Sequence, residues 1–217
     1  MLSLVALIVV TVLLFGGIFF WALVIQPRAE QRAGELSTGD AWNASGLEQF
    51  AAGQFSLYQI VPPPDLTRAE FHFKNEAGGE LGRYTTSGPK SGELEYGGRK
   101  ANLYIQAAPF WGSVYAGKVG GSSNRSTVIR DESHVIAEAW REKVLPAPRY
   151  RLVYQGKTLV VAAGGLSVTL PGSITRNGEQ IGAFRRPSGS SRNLFVALRT
   201  DLEDELKVCL CAILLLR

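Results

Sequence analysis

Leu206–Leu216 reads LKVCLCAILLL and is followed by Arg217. Wound as a helix, this stretch is apolar on every side and carries one charge, Lys207, so it has no face to offer water and must be enclosed. At about 1.5 Å per residue it falls well short of the roughly 30 Å of a bilayer core. It is therefore expected to plug a protein interior, with Leu206, Val208, Leu210, Ile213 and Leu214 as core contacts. Ahead of it, Thr200-Asp201-Leu202-Glu203 has capping-box spacing, and Asp204 and Glu205 place acids at the positive end of the helix dipole, which predicts a central helix over 203–216.

Upstream, the chain alternates. Phe71 and Phe73 fall on one side of a strand and His72 and Lys74 on the other, and Gly78-Gly79 turns the chain into Leu81-Gly82-Arg83-Tyr84. Further strands are predicted at Glu93–Tyr96, Ala101–Gln106, Ser113–Val119, Thr127–Arg130, Arg149–Tyr154, Thr158–Ala163, Leu166–Leu170, Ser173–Arg176, Gln180–Phe184 and Asn193–Leu198. Val135–Val144, with Ile136, Trp140 and Val144 at four-residue spacing, reads as a helical interlude outside them. One hairpin is written twice. Lys74-Asn75 leads to Gly79-Glu80-Leu81-Gly82-Arg83-Tyr84, and Arg176-Asn177 leads to Gly178-Glu179-Gln180-Ile181-Gly182-Ala183-Phe184, each a glycine turn followed by a strand that puts Leu81 or Ile181 inward. A duplicated β unit suits a closed barrel, where every edge is paired. The expected fold is mainly β: a closed antiparallel barrel of about twelve strands around a hydrophobic C-terminal α-helix.

The other end of the chain adds an anchor. Leu2 to Ile25 holds no charged residue, and as a helix it spans about 36 Å, enough to cross a bilayer; Trp21 sits near its end and Pro27 stops it. It lacks the basic n-region and small-residue cleavage site of a signal peptide. No Lys or Arg precedes the run, whereas Arg28 and Arg32 follow it, which places the N-terminus outside and the folded domain in the cytoplasm, so the Asn43 and Asn124 sequons carry no weight. The expected organisation is an anchor over 1–25, a tether and lead-in over 26–66 ending in Pro62-Pro63-Pro64, and a barrel over 67–217. Cys209 and Cys211 are the only cysteines; on one helix they point to different sides, so no disulfide framework exists.

The turn-strand unit Arg176–Phe184, the strand Asn193–Leu198 and the terminal apolar helix within Asp201–Leu216 together resemble the tubby C-terminal-like fold, shared by tubby proteins, phospholipid scramblases and plant LURP-one-related proteins. The resemblance implies a barrel around a hydrophobic helix and binding at membranes: tubby domains recognise phosphoinositide head groups through basic residues, and scramblases carry a calcium segment ahead of the helix. Asp201, Glu203, Asp204 and Glu205 do not complete the ligand pattern of a calcium loop, and the anchor here lies at the N-terminus.

Motifs for catalysis are lacking. Gly112–Val119 matches a phosphate loop until Val119 stands where Ser or Thr must bind magnesium, His72 and His134 have no ligand partner at motif spacing, and no G-x-S-x-G elbow occurs. No metal, cofactor or enzymatic role is expected. The charge pattern says more: between Arg141 and Arg199 there are ten Lys or Arg against two acids, with no sustained interleaving of aromatics to suggest nucleic acid. The expected function is a non-enzymatic single-pass membrane protein whose barrel binds anionic head groups, or a protein partner, at the membrane surface, with Arg176, Arg185, Arg186 and Arg192 as candidate contacts. Scramblase-like lipid transport and a purely structural scaffold are the alternatives.

Overall fold

Period-two alternation leaves each strand with one apolar face, and only a closed sheet with something inside buries all those faces at once. A computed structural model of the chain describes residues 38–51, 53–63, 70–88, 91–107, 125–132, 134–143, 147–164, 170–187 and 193–215. The expected anchor over 1–25, the strand Ser113–Val119 and all of Leu166–Leu170 but its last residue lie outside the described residues.

The elements run in the order α1 (Thr38–Ser45), a 3-10 turn (Glu48–Phe50), β1 (Phe55–Val61), β2 (Glu70–Asn75), β3 (Glu80–Gly88), β4 (Ser91–Tyr96), β5 (Arg99–Ala107), β6 (Arg125–Arg130), β7 (Val135–Lys143), β8 (Arg149–Tyr154), β9 (Lys157–Ala162), β10 (Gly172–Arg176), β11 (Glu179–Arg185), β12 (Leu194–Arg199) and α2 (Asp204–Leu215). Each strand pairs with its neighbours in sequence, and β1 closes on β12 in antiparallel register from Phe55 with Arg199 to Ile60 with Leu194. The expected closed barrel with a C-terminal helix is present.

Every residue of α2 from Leu206 to Leu214 is buried. It packs among inward side chains that include Tyr58, Phe73, Tyr84, Leu94, Leu103, Leu152, Leu159, Ile174 and Val196. Lys207 is enclosed as well: its Nζ lies 2.9 Å from Asp204 Oδ1 and donates to the Thr200 carbonyl at 3.3 Å, so the one charge of the plug is satisfied locally. The helix begins at Asp204, where the Lys207 N–H donates to the Glu203 carbonyl; Thr200 sits a further turn back, and the Thr200–Glu203 spacing is not a capping box.

Two expectations are corrected. Val135–Lys143 is a strand, not a helix: Ala137 and Ala139 point inward opposite Tyr154 and Leu152, and the segment supplies the ladder both β6 and β8 need. A four-residue spacing is even and so fits strand alternation as well as it fits a helical turn, and register shifts interrupt the ladder at both ends. The folded body also starts well before residue 67. β1 closes the barrel, and α1 with the 3-10 turn covers the outer wall, where Leu47, Leu57, Ala183, Phe195 and Ala197 form a second core against Ala41, Trp42 and Phe50. Trp42 Nε1 donates to Glu76 at 2.7 Å, which ties α1 to the β2–β3 turn. Among the described residues no helix is long and apolar enough to cross a membrane.

The duplicated hairpin is real at the level of backbone geometry. Leu81 in β3 and Ile181 in β11 are both the extra residue of a bulge, because Phe73 pairs with Gly82 and Lys74 with Glu80, as Ile174 pairs with Gly182 and Thr175 with Gln180. The glycine after each bulge is required by close approach. A Cβ on Gly82 would lie 2.7 Å from the Glu95 carbonyl and 3.2 Å from Val208 of the plug, and one on Gly182 would lie 2.8 Å from the Ala197 carbonyl. Gly82→Val and Gly182→Val are each expected to cost about 1–3 kcal/mol, read as a lower denaturation midpoint. Burial in the plug pushes the Cys211 thiol up to about 12 and Cys209 higher still, so neither thiol should react with iodoacetamide in the native chain and both should react on denaturation.

Candidate functional site

An even-stranded meander sends alternate connections to opposite ends of the barrel. The β2–β3, β4–β5, β6–β7, β8–β9 and β10–β11 connections, together with the passage from β12 into α2, share one rim. Three of these are two-residue turns with both central residues at positive φ: Gly97-Gly98, Gln155-Gly156 and Asn177-Gly178. Such turns match the twist of the flanking strands, and they hold the paired residues on either side, Tyr96 with Arg99, Tyr154 with Lys157 and Arg176 with Glu179, in fixed register.

These pairs gather around the first turn of α2. Tyr96 Oη donates to Glu205 Oε1 at 2.8 Å. Tyr154 Oη lies 2.8 Å from Glu203 Oε2 and 2.9 Å from Glu205 Oε2, and accepts from Gln155 Nε2 at 2.9 Å. Arg99 approaches Glu205 at 3.7 Å. Burial first, and then the carboxylates they face, push both tyrosine hydroxyls well above their ordinary value. Each neutral O–H is a donor that neither carboxylate can supply, so the tyrosines fasten the plug to the wall at its mouth.

Next to this network is a pocket of about 40 Å³ lined by Tyr154, Lys157, Leu159, Arg176, Asp201, Leu202, Glu203 and Leu206. Asp201 is held by Arg199, with Nε to Oδ1 at 3.0 Å and Nη2 to Oδ2 at 2.7 Å, and this bonding, with Arg176 acting at longer range, keeps its carboxyl below the usual range. Arg199 also bonds Glu179. Lys157 and Arg176 differ from the cations around them: no hydrogen bond or ion pair engages either among the described residues. Elsewhere on the wall Arg83 bonds Glu95 at 2.6 Å, Lys100 bonds Glu93 at 2.7 Å and Arg151 forms an ion pair with Glu142.

The structure separates the arginines chosen from sequence. Arg176 stands at the turn rim beside the pocket, whereas Arg185 and Arg186 lie at the far end of β11, roughly 20 Å away along the strand. Arg185 Nη1 donates to the Gly46 carbonyl at 2.9 Å, so it clamps the end of α1 to the wall. Arg192 lies outside the described residues. Leu206, Val208, Leu210, Ile213 and Leu214 are buried. Among the described residues no group of three or more His, Cys, Asp or Glu is arranged to hold a metal ion. Sequence reasoning missed Tyr96, Tyr154 and Lys157 as a set, and the signal was present: Tyr96-Gly97-Gly98-Arg99 and Tyr154-Gln155-Gly156-Lys157 share the pattern tyrosine, any residue, glycine, base.

Tyr96→Phe and Tyr154→Phe should each lower stability by about 1–2 kcal/mol. Because the folded tyrosines are raised above the unfolded value of about 10, their contribution is complete below that pH and is lost as pH climbs past it. Denaturant titrations above and below that pH should show a shallower alkaline decline in the double variant.

No protein-family model, curated protein or solved structure matches this chain.

Proposed function

We propose that the protein is a non-enzymatic, membrane-anchored binding module whose barrel, on the cytoplasmic side, takes up a charged head group at its turn rim. Membership of the tubby-like superfamily is part of this reading. One observation carries it: beside a concave site Lys157 and Arg176 make no hydrogen bond or ion pair among the described residues, while Arg83, Lys100, Arg151 and Arg199 are each paired with a carboxylate. Unmatched cations at a pocket are free to meet a phosphate or carboxylate without first breaking an internal pair. The filled interior supports the same reading, since α2 occupies the space in which a barrel of the lipocalin kind would hold its ligand. Binding then belongs at a rim or on the outer wall. The basic second half of the chain adds a general attraction for an anionic leaflet.

The test is capture of the detergent-solubilised full chain on beads coated with anionic phospholipid, at low and at moderate salt. Capture should require the anionic lipid and weaken with salt. At about 1 kcal/mol per cation, replacing Lys157 and Arg176 together by Ala should reduce affinity roughly thirtyfold, while Lys100→Ala on the outer wall should leave it unchanged. Equal capture of the parent chain and the double variant would remove this site from consideration, and a chain that ignores the beads but retains a protein from solution would favour the scaffold reading.

A further inference from the structure

We infer that the pocket between Lys157, Arg176 and Glu203 is built for a zwitterion: a phosphate ester that carries its own ammonium group, of the phosphoethanolamine class. This rests on the reading that the rim takes a charged head group, and it names the chemistry of that group.

The argument comes from the two signs of charge in one small space. Lys157 and Arg176 reach the pocket from adjacent strands, since Arg176 pairs with Leu159 in the β9–β10 ladder and Lys157 begins β9. Asp201 and Glu203 line the same pocket from the segment that leads into α2. A simple anion drawn to the two cations would be brought up against two carboxylates, and a simple amine drawn to the carboxylates would be brought up against two cations. A ligand with both charges, a short chain apart, meets each with its opposite. The carboxylates are not equivalent. Asp201 is occupied by Arg199 through both oxygens, whereas Glu203 gives Oε2 to Tyr154 and has Oε1 without a bond among the described residues. Glu203 is therefore the acceptor for the ammonium, and a primary ammonium, which can donate, suits it better than a quaternary one. Size points the same way. The pocket is small and open at the rim, so it can receive charged groups at its mouth while the ester's remaining substituent stays in solvent.

The proposal is tested by calorimetric titration of the detergent-solubilised full chain with inorganic phosphate, ethanolamine and O-phosphoethanolamine. O-Phosphoethanolamine should bind at least tenfold more tightly than either fragment. Lys157→Ala and Arg176→Ala should each weaken it about tenfold, and Glu203→Gln, which keeps an acceptor for Tyr154, should erase the preference over phosphate. Equal affinity for phosphate and O-phosphoethanolamine, or a preference that survives Glu203→Gln, overturns the zwitterionic assignment. If phosphate alone then still binds in a manner dependent on Lys157 and Arg176, the head-group reading stands without it; if no probe binds and bead capture ignores both cations, both readings fall. In nanodiscs, the rate at which Arg176 is modified by an arginine-selective dicarbonyl, a reagent chosen to spare the ligand's own amine, distinguishes the source. Protection by phosphatidylethanolamine but not by phosphatidylcholine assigns the ligand to the lipid, protection by free O-phosphoethanolamine alone assigns it to a soluble ester, and protection by neither overturns the site.

Discussion

Everything in this fold follows from the need to enclose a helix that has no polar side. A sheet packed on one face of α2 would leave the opposite face wet, so the wall has to go all the way round, and twelve strands closed β1 to β12 achieve this. Enclosure then dictates details of sequence. Where strands approach the helix or one another closely, the chain uses Gly82 and Gly182, and small Ala137 and Ala139 are buried in the wall. Where the helix enters, the wall supplies hydroxyls from Tyr96 and Tyr154 to the acids of its first turn. The helix is thus held by shape along its length and by hydrogen bonds at its mouth.

The barrel and its plug were legible because their signals are local and strong. An apolar run with one charge admits few environments, and strands such as Arg149–Tyr154 alternate cleanly between glycine turns. Other parts were not legible for identifiable reasons. Ile136 and Trp140 are four residues apart, a spacing that fits a helix face and a strand face alike, and strand identity there is decided by the two neighbours it must pair with. Trp42 looks like a stray aromatic in a tether, since nothing local announces that the outer wall at Leu57, Phe195 and Ala197 is itself apolar and needs a cover. The charged residues were harder still. Arg185 and Arg176 are alike as letters, but only the register of β11 reveals that one clamps α1 and the other borders a pocket.

The distribution of ion pairs separates structural from available charge. Along β2 to β5 the outer wall is a lattice in which Arg83 bridges Glu70 and Glu95, and Lys100 bridges Glu93 and Glu95; these two cations, through their hydrogen bonds, hold the Glu95 carboxyl down at about 2. Charges tied up in this way are poor ligands for anything arriving from outside. Around the pocket the turn rim is organised differently, with acids engaged by tyrosines and Arg199 while Lys157 and Arg176 make no hydrogen bond or ion pair among the described residues. The contrast lies between two regions of one barrel with the same kinds of residue, so it reflects arrangement and not composition.

The position of α2 in chain order has a consequence for biogenesis. The segment that forms the centre of the core follows all twelve strands, and the ring cannot close until β12 meets β1 across some 140 positions of chain. During synthesis the earlier strands emerge with apolar inner faces and open edges, and no nucleus for them to condense upon. Closure of this domain is accordingly late. The tight hairpins can form one by one as the ribosome releases them, but the assembled wall must wait for its last helix, and in that interval the nascent chain is a natural client for chaperones.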